Sequence, residues 1–147
     1  MIFRLMLYGF GLALKSSFKI ASFKDADFKQ RLKNKKFLMQ ITMRDENKGR
    51  FYKLDKGRIT SSGKISRETP NMLIEWQDSS TALETLMKKN PKLLIRSVCD
   101  AIVSGKLTVE LEYAPMFSFA ETVKEMADVY SEFLPIIKKV PYINKLL

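Results

Sequence analysis

The side chains that most often carry enzyme chemistry are sparse in this sequence. It contains no histidine and a single cysteine, Cys99. The absence of histidine removes serine–histidine–aspartate triads, histidine metal ligands and the commonest general base. The sequence also has no P-loop, no glycine-rich dinucleotide fingerprint and no cysteine cluster. We therefore predict a protein that is not an enzyme, with no catalytic residue, no metal site and no cofactor.

A lone cysteine can form no disulfide within the chain, so nothing in the sequence indicates an oxidising compartment. Cys99 lies among Ile95, Val98 and Ile102 on a predicted helix. Because a free cysteine in apolar surroundings behaves as a small hydrophobic residue, we predict that Cys99 is buried and inert.

The net charge of +10 is concentrated in the first half of the chain. Residues 1–67 hold 17 Lys and Arg against 5 Asp and Glu, whereas residues 68–147 hold 9 against 11. A basic half suggests an anionic partner, either phospholipid or nucleic acid, although lysines that are simply solvated give the same composition. The basic run at residues 29–36 has no interleaved aromatic residues and no helix-turn-helix pattern, so we predict no nucleic-acid partner.

Short apolar runs separated by turn residues predict a β-sheet in the first half of the chain. Strands are expected at residues 37–44, 50–54, 58–65 and 71–76, with a last one at residues 104–111. Three connections of hairpin length predict that the first four strands form an antiparallel meander. Within the first strand Phe37, Met39, Ile41 and Met43 alternate with more polar residues, which predicts one covered face and one wet face.

Helices must cover the apolar face of that sheet, which makes the predicted class α+β. Capping-box patterns at Ser22–Asp25, Thr81–Glu84 and Ser118–Glu121 mark three helix starts. Asn90-Pro91 breaks the second of these helices, and apolar residues at helical spacing predict a further helix at residues 92–104. In the helix after Ser22, Phe28 and Leu32, together with Phe23, are expected to face inward.

The two ends of the chain are unusually apolar. Ten uncharged residues lie between Arg4 and Lys15, half of what a bilayer-spanning helix needs. Residues 1–21 therefore fit a helix packed on the domain, a helix lying in a membrane interface, or a processed signal. In the interfacial case the membrane contacts are Phe10, Leu14, Lys15 and Lys19, with Phe18 beside them. Residues 136–147 form an apolar tail with three lysines and no acidic residue.

The succession of these elements resembles the sterol-carrier-protein-2-like (SCP2-like) domain family. The resemblance rests on the Asp55-x-Gly57 hairpin, the strand Met72-Leu73-Ile74-Glu75-Trp76, the leucine-rich helix after it, and the run Ser104-Gly105-Lys106-Leu107-x-Val109. It covers about residues 24–135. It implies a five-stranded, mainly antiparallel sheet covered by helices on one face, to which this chain adds an apolar N-terminal helix and a helical C-terminal tail.

With 147 residues the chain is expected to form one domain: a helix at 1–21, an SCP2-like core at 22–135 and the tail at 136–147. The resemblance implies an apolar cavity for an acyl, sterol-like or isoprenoid chain. Eight methionines fit an adaptable pocket of this kind. Mapped onto this sequence, the lipid-binding residues are Met39, Ile41, Met43, Trp76, Leu86, Val98, Ile102, Phe119, Met126 and Tyr130.

The function that follows is non-catalytic lipid binding or lipid transfer, with docking on anionic membrane surfaces. The expected partners are a lipid, a membrane surface and a second copy of the chain, and the expected location is cytoplasmic, peripheral at a membrane. The alternative is a structural or accessory protein, for instance in lipid or quinone biosynthesis, whose apolar termini are buried in a partner or homodimer.

Overall fold

The computed structural model describes residues 1–137, without the side chains of Tyr130 and residues 132–137. Ten elements follow one another along this part of the chain. The helices are α1 (Ile2–Lys24), α2 (Ala26–Lys33), α3 (Ser79–Leu86), α4 (Pro91–Val103) and α5 (Tyr113–Ile137). The strands are β1 (Phe37–Met43), β2 (Lys48–Asp55), β3 (Arg58–Ser62), β4 (Met72–Trp76) and β5 (Leu107–Leu111). The predicted α+β class is confirmed.

The five strands form one mixed sheet in the order β3-β2-β1-β4-β5. All neighbours are antiparallel except β1 and β4, which run parallel with Met39 opposite Met72 and Met43 opposite Trp76. The predicted four-stranded meander is therefore wrong at its fourth strand, and β3 ends at Ser62 rather than Ile65. The connection at residues 63–71 is long enough to return β4 to the far side of β1, as a parallel pairing requires.

That connection also buries the face of β1 that the alternation had predicted to be wet. Every residue of β1 is buried, including Gln40. The Gln40 side chain accepts a hydrogen bond from the Ser66 backbone N–H at 2.7 Å, and Lys53 on the same face pairs with Glu68 at 2.6 Å. A buried amide needs such partners, so the crossing segment satisfies it while excluding water.

The helix starts follow capping chemistry, but at different residues from those predicted. Asp25 caps α2 by accepting from the Phe28 N–H at 2.9 Å, and Asp78 caps α3 by accepting from the Thr81 N–H at 2.7 Å. Ser22 lies inside α1, and Thr81 lies inside α3. An ionised carboxylate at a helix N-terminus meets both the unpaired N–H groups and the helix dipole, which explains why aspartate occupies both caps. Asn90 caps α4 by accepting from the Lys92 N–H at 2.9 Å, a role that was not predicted from the sequence.

The last helix is longer than the sequence indicated. It starts at Tyr113, five residues before Ser118, and continues through Pro135 to Ile137. Pro115 lies in its first turn, where the missing N–H has no helical partner to lose. The predicted tail at 136–147 lies outside the described residues except for the backbone of its first two.

The turn between β2 and β3 fits the predicted two-residue hairpin. Lys56 and Gly57 both have positive φ, 49° and 76°, which is the backbone of a type I′ turn. Glycine takes this conformation without a steric cost, whereas Lys56 adopts it because the flanking strands are paired on either side.

Two helices cover the sheet face that carries Met39 and Ile41. In α1 the side chains of Phe3, Leu7 and Phe18 are buried in the core. In α5 the Phe119 ring stacks on Phe37 with ring centroids 4.3 Å apart. Helix α1 is therefore a structural part of the core, and the packed-helix interpretation of residues 1–21 holds for its inner side.

Candidate functional site

The sheet presents one apolar face to the helices, which we call the core face. The strand register places Met39, Ile41 and Met43 of β1 on it, beside Trp76 of β4. All four are buried and belong to one hydrophobic cluster. The four strand residues predicted for the lipid site thus lie together.

The helical residues predicted for the same site are less buried than the strand residues. Leu86, Val98, Phe119 and Met126 are partly buried and pack against the cluster. Ile102 is 49% exposed on α4. The side chain of Tyr130 lies outside the described residues.

Side chains fill the space between the core face and the covering helices. The apolar cavity there measures about 10 Å³ and is bordered by Leu14, Phe37, Met39, Tyr52, Leu54, Ile59 and Phe119. Such a volume holds one water molecule at most. An acyl chain could enter this region only if side chains or a helix moved.

The core face is open, however, along β4 and β5. Trp76 and Leu107 face each other at one end of this strand pair and are buried. Further along, Ile74 faces Val109, and Val109 is 40% exposed. We call the partly covered surface of Met72, Ile74, Val109 and Leu111 the apolar shelf. The shelf is continuous with the packed core. A ligand bound on it would lie against Met72 and Ile74, which are the β4 neighbours of Met39 and Ile41.

The shelf residues were absent from the predicted site, although a signal for them existed. Leu107, Val109 and Leu111 alternate with Thr108 and Glu110, the period of a half-buried strand. The alternation fixes which residues share a face, but it cannot say that the helices leave this part of the face uncovered.

The residues predicted to contact a membrane lie on different sides of α1. Lys15 and Lys19 are exposed, and Phe10 is half exposed with its ring edge-on to Tyr52 at 5.2 Å. Leu14 packs on the core, and Phe18 is buried. These two residues point into the protein because they lie on the same side of the helix as Phe3 and Leu7.

A second apolar side of α1 points to solvent. We call Ile2, Leu5, Leu12, Ile20 and Phe23 the outer face of α1; all are exposed, and Phe23 is 85% exposed rather than inward as predicted. Arg4, Lys15, Lys19 and Lys24 flank it. A helix with apolar residues on both sides and cations at its margins has one side available for a further apolar surface.

The described residues contain no cluster of three Cys, Asp or Glu side chains that could hold a metal ion. Cys99 is exposed, so its predicted burial is wrong: α4 turns Val98 and Ala101 to the core and Cys99 away from it. A polar pocket of about 470 Å³ lies on the opposite face of the sheet, lined by Lys53, Asp55, Lys56, Arg58 and Thr60.

None of the helices in the described part of the chain combines the length and the apolar character needed to cross a bilayer.

Comparison with known proteins gives structural similarities alone. No protein-family model and no curated protein matches the sequence. Among solved structures, the chain is similar to a UbiJ-SCP2 ubiquinone synthesis protein, at 11% identity and a TM-score of 0.42 over 82% of this chain and 98% of that one. It is similar to sterol carrier protein 2 at 15% identity and a TM-score of 0.36, over 80% and 92% of the two chains.

A third similarity is to the sec-alkylsulfatase Pisa1 from Pseudomonas sp., at 11% identity and a TM-score of 0.35. It covers 62% of this chain but 13% of the enzyme. Two of the three neighbours carry the name of the family that the sequence resembles.

Proposed function

We propose that this protein binds the apolar chain of a lipid on the apolar shelf and presents it at a membrane surface, without chemistry of its own. The observation that carries the proposal is that Val109 on the core face is 40% exposed, whereas Met39, Ile41, Met43 and Trp76 on the same face are buried. A continuous apolar surface at the margin of a core is a common ligand-binding feature.

The expected affinity follows from the area that the shelf can bury. Covering about ten methylenes of an acyl chain yields roughly 8 kcal/mol at about 0.8 kcal/mol per CH₂. Association and ordering consume part of this energy. We therefore expect a dissociation constant between about 1 µM and 1 mM for a single saturated chain.

Helix α5 is the element whose movement would extend the shelf into the core. Two polar contacts join it to α2 and to the segment that follows α2: Glu125 forms an exposed pair with Arg31 at 2.8 Å, and Ser118 accepts a partly buried hydrogen bond from Lys35 at 2.9 Å. Exposed pairs of this kind contribute little to stability. Apolar packing also holds α5 in place: Phe119 stacks on Phe37, and Met116, Val123, Met126 and Val129 pack against the core. An acyl chain would have to replace such contacts.

The outer face of α1 supplies the membrane contact in this proposal. Its five apolar side chains would enter the acyl boundary, and the flanking cations would meet lipid phosphates. This assignment keeps Lys15 and Lys19 from the sequence prediction. It replaces Phe10 and Leu14 with residues that are exposed on the side of α1 opposite the core.

Lipid binding is tested by native mass spectrometry of the purified protein, followed by titration with palmitate. We expect lipid adducts on the unmodified chain and an affinity at least tenfold weaker for Val109→Asn, because the amide would be desolvated by the acyl chain. Thr108→Asn places the same side chain on the opposite face of β5 and should change the affinity by less than twofold.

Two results would contradict lipid binding on the shelf. One is a clean unliganded mass that palmitate does not change. The other is equal weakening by both variants, which would mean that the substitutions act through the strand itself. The same spectra give the number of subunits, so an effect of Val109→Asn on assembly is seen separately.

Membrane docking is tested by flotation with vesicles of phosphatidylglycerol and phosphatidylcholine. We expect the double variant L5E/L12E to reduce the bound fraction at least fivefold, because two carboxylates would have to enter the acyl boundary. The control I95E/V103E makes the same change at two exposed apolar residues of α4 and should bind as the unmodified chain does. Equal binding by L5E/L12E would show that α1 does not contact the membrane.

One observation favours the alternative, an accessory protein whose apolar surfaces are buried in a partner. The cavity under α5 is nearly filled by the protein's own side chains. In that case the purified protein carries no lipid, and the vesicle experiment gives no binding at any content of anionic lipid.

A further inference from the structure

The outer edge of β5 has backbone hydrogen-bonding groups that point away from the sheet. Two hydrogen bonds at the ends of β5 show which of its backbone groups point towards β4. Gln77 donates to the Lys106 carbonyl, and Glu112 donates to the Asn71 carbonyl, both at 2.8 Å. Residues 106, 108, 110 and 112 therefore turn their backbone groups towards β4. The N–H and C=O groups of Leu107, Val109 and Leu111 point the other way, and no strand among residues 1–137 pairs with them.

The two edge strands of the sheet, β3 and β5, differ in how far a neighbouring helix covers them. At the other edge, α1 packs along β3, where Gly11 allows the helix to approach Ser61. The sequence of β5 contains no proline, and its middle three residues are exposed. Exposed edges usually carry proline, bulges or charged residues that prevent pairing, and β5 has one such charge, Glu110, in its exposed middle. The strand can therefore pair with another only in a register that gives Glu110 no like-charged neighbour.

We propose that β5 pairs with β5 of a second copy of this chain, antiparallel about a twofold axis at Val109, to form a continuous ten-stranded sheet. In this register Leu107 faces Leu111 of the partner copy, and Val109 faces its own counterpart. About six backbone hydrogen bonds then satisfy all three outward-pointing residues in both copies. The inference does not require lipid binding, although both proposals involve Val109.

The charges at the ends of β5 are self-complementary in that register. Lys106 precedes the strand and Glu112 follows it, and both are exposed. The axis at Val109 places Lys106 of each copy opposite Glu112 of the other. Their side chains lie on the face opposite the apolar shelf, as the alternation with Leu107 and Leu111 requires. The Val109 side chains meet on the shelf side, where the pairing covers part of their exposed surface.

The experiment is sedimentation velocity of the full chain over a range of concentrations, in low and high salt. We expect a concentration-dependent dimer. Lys106→Glu should weaken the dimer at least tenfold, because two pairs of like charges would then oppose each other. Adding Glu112→Lys should restore it to within about threefold, since the double variant reverses both pairs.

The matched control is Lys106→Glu with Glu110→Lys, which has the same net charge as the rescued variant but leaves like charges opposite each other in this register. Equal rescue by Glu110→Lys would overturn the register at Val109, and a chain that stays monomeric at all concentrations would overturn the pairing altogether. Thermal unfolding of each variant shows whether a loss of dimer comes from loss of the fold. Palmitate binding should be unchanged in the rescued variant, so this proposal and the proposed function can fail separately.

Discussion

At the scale of single residues, Tyr52 shows how one polar group ties the N-terminal helix to the sheet. Its hydroxyl donates to the Leu7 carbonyl at 2.6 Å in a buried position, and its ring meets Phe10 edge-on. Burial raises the pKa of Tyr52 to about 12, because the phenolate would have to form away from water. The contact between α1 and β2 therefore requires a protonated tyrosine.

This shift predicts a loss of stability in alkaline solution. In the unfolded chain Tyr52 ionises near its ordinary pKa of about 10. Between pH 10 and 12 the folded state holds the proton that the unfolded state releases, so the free energy of unfolding falls as pH rises, by at most about 1.4 kcal/mol per pH unit. Urea unfolding at several pH values measures this slope.

Tyr52→Phe supplies the comparison for that measurement. It should be less stable at pH 8, because the Leu7 carbonyl loses a donor, and its stability should decline less steeply above pH 10. Parallel curves for the two proteins would show that the pKa of Tyr52 is the same in the folded and unfolded states.

At the scale of elements, two glycines in one helix have opposite environments. A Cβ on Gly11 would lie 2.9 Å from the Tyr52 ring and 3.0 Å from the Ser61 hydroxyl, whereas a Cβ on Gly9 would meet nothing within 4 Å. A side chain at Gly11 would therefore collide with β2 and β3, whereas a side chain at Gly9 would meet no other part of the described structure.

We expect Gly11→Ala to destabilise the protein by about 1–2 kcal/mol, because overpacking outweighs the gain in helix propensity. Gly9→Ala should stabilise it by about 0.5–1 kcal/mol. Differential scanning calorimetry should show melting temperatures displaced in opposite directions, by about 2–4 °C per kcal/mol. A stabilising Gly11→Ala would mean that α1 is less tightly packed on the sheet than this contact indicates.

At the scale of the whole molecule, α1 acts both as a structural layer and as a surface. Phe3, Leu7 and Phe18 contribute its buried side, and each buried side chain of this size is worth about 1.5–3 kcal/mol. Their sum approaches the total stability of a typical domain. Deleting residues 1–20 should therefore abolish cooperative unfolding, as observed by near-ultraviolet circular dichroism during heating.

The double variant L5E/L12E provides the contrast, because it alters only exposed residues of the same helix and should unfold cooperatively. If the deleted chain unfolded cooperatively too, α1 would be an appendage rather than part of the core.

The sequence by itself determined the features that depend on neighbours within a few residues. Short apolar runs located all five strands, apolar residues at helical spacing located α4, and the Asp55-x-Gly57 pattern located the hairpin. Composition alone excluded histidine chemistry. Phe28 and Leu32 face inward as their helical spacing predicted. These signals are local because backbone geometry and hydrogen-bonding needs are local.

The tertiary structure decided everything that depends on which distant surfaces meet. Hairpin-length spacing favoured pairing of β4 with β3, yet the segment at residues 63–71 crosses the sheet and pairs β4 with β1. Cys99 and Phe23 belong to helices that also contain buried apolar residues. Both are nevertheless exposed, because no element among the described residues packs over them. Whether an apolar side chain is core or surface depends on the area that another element covers, and that area is set by long-range packing rather than by the residue itself.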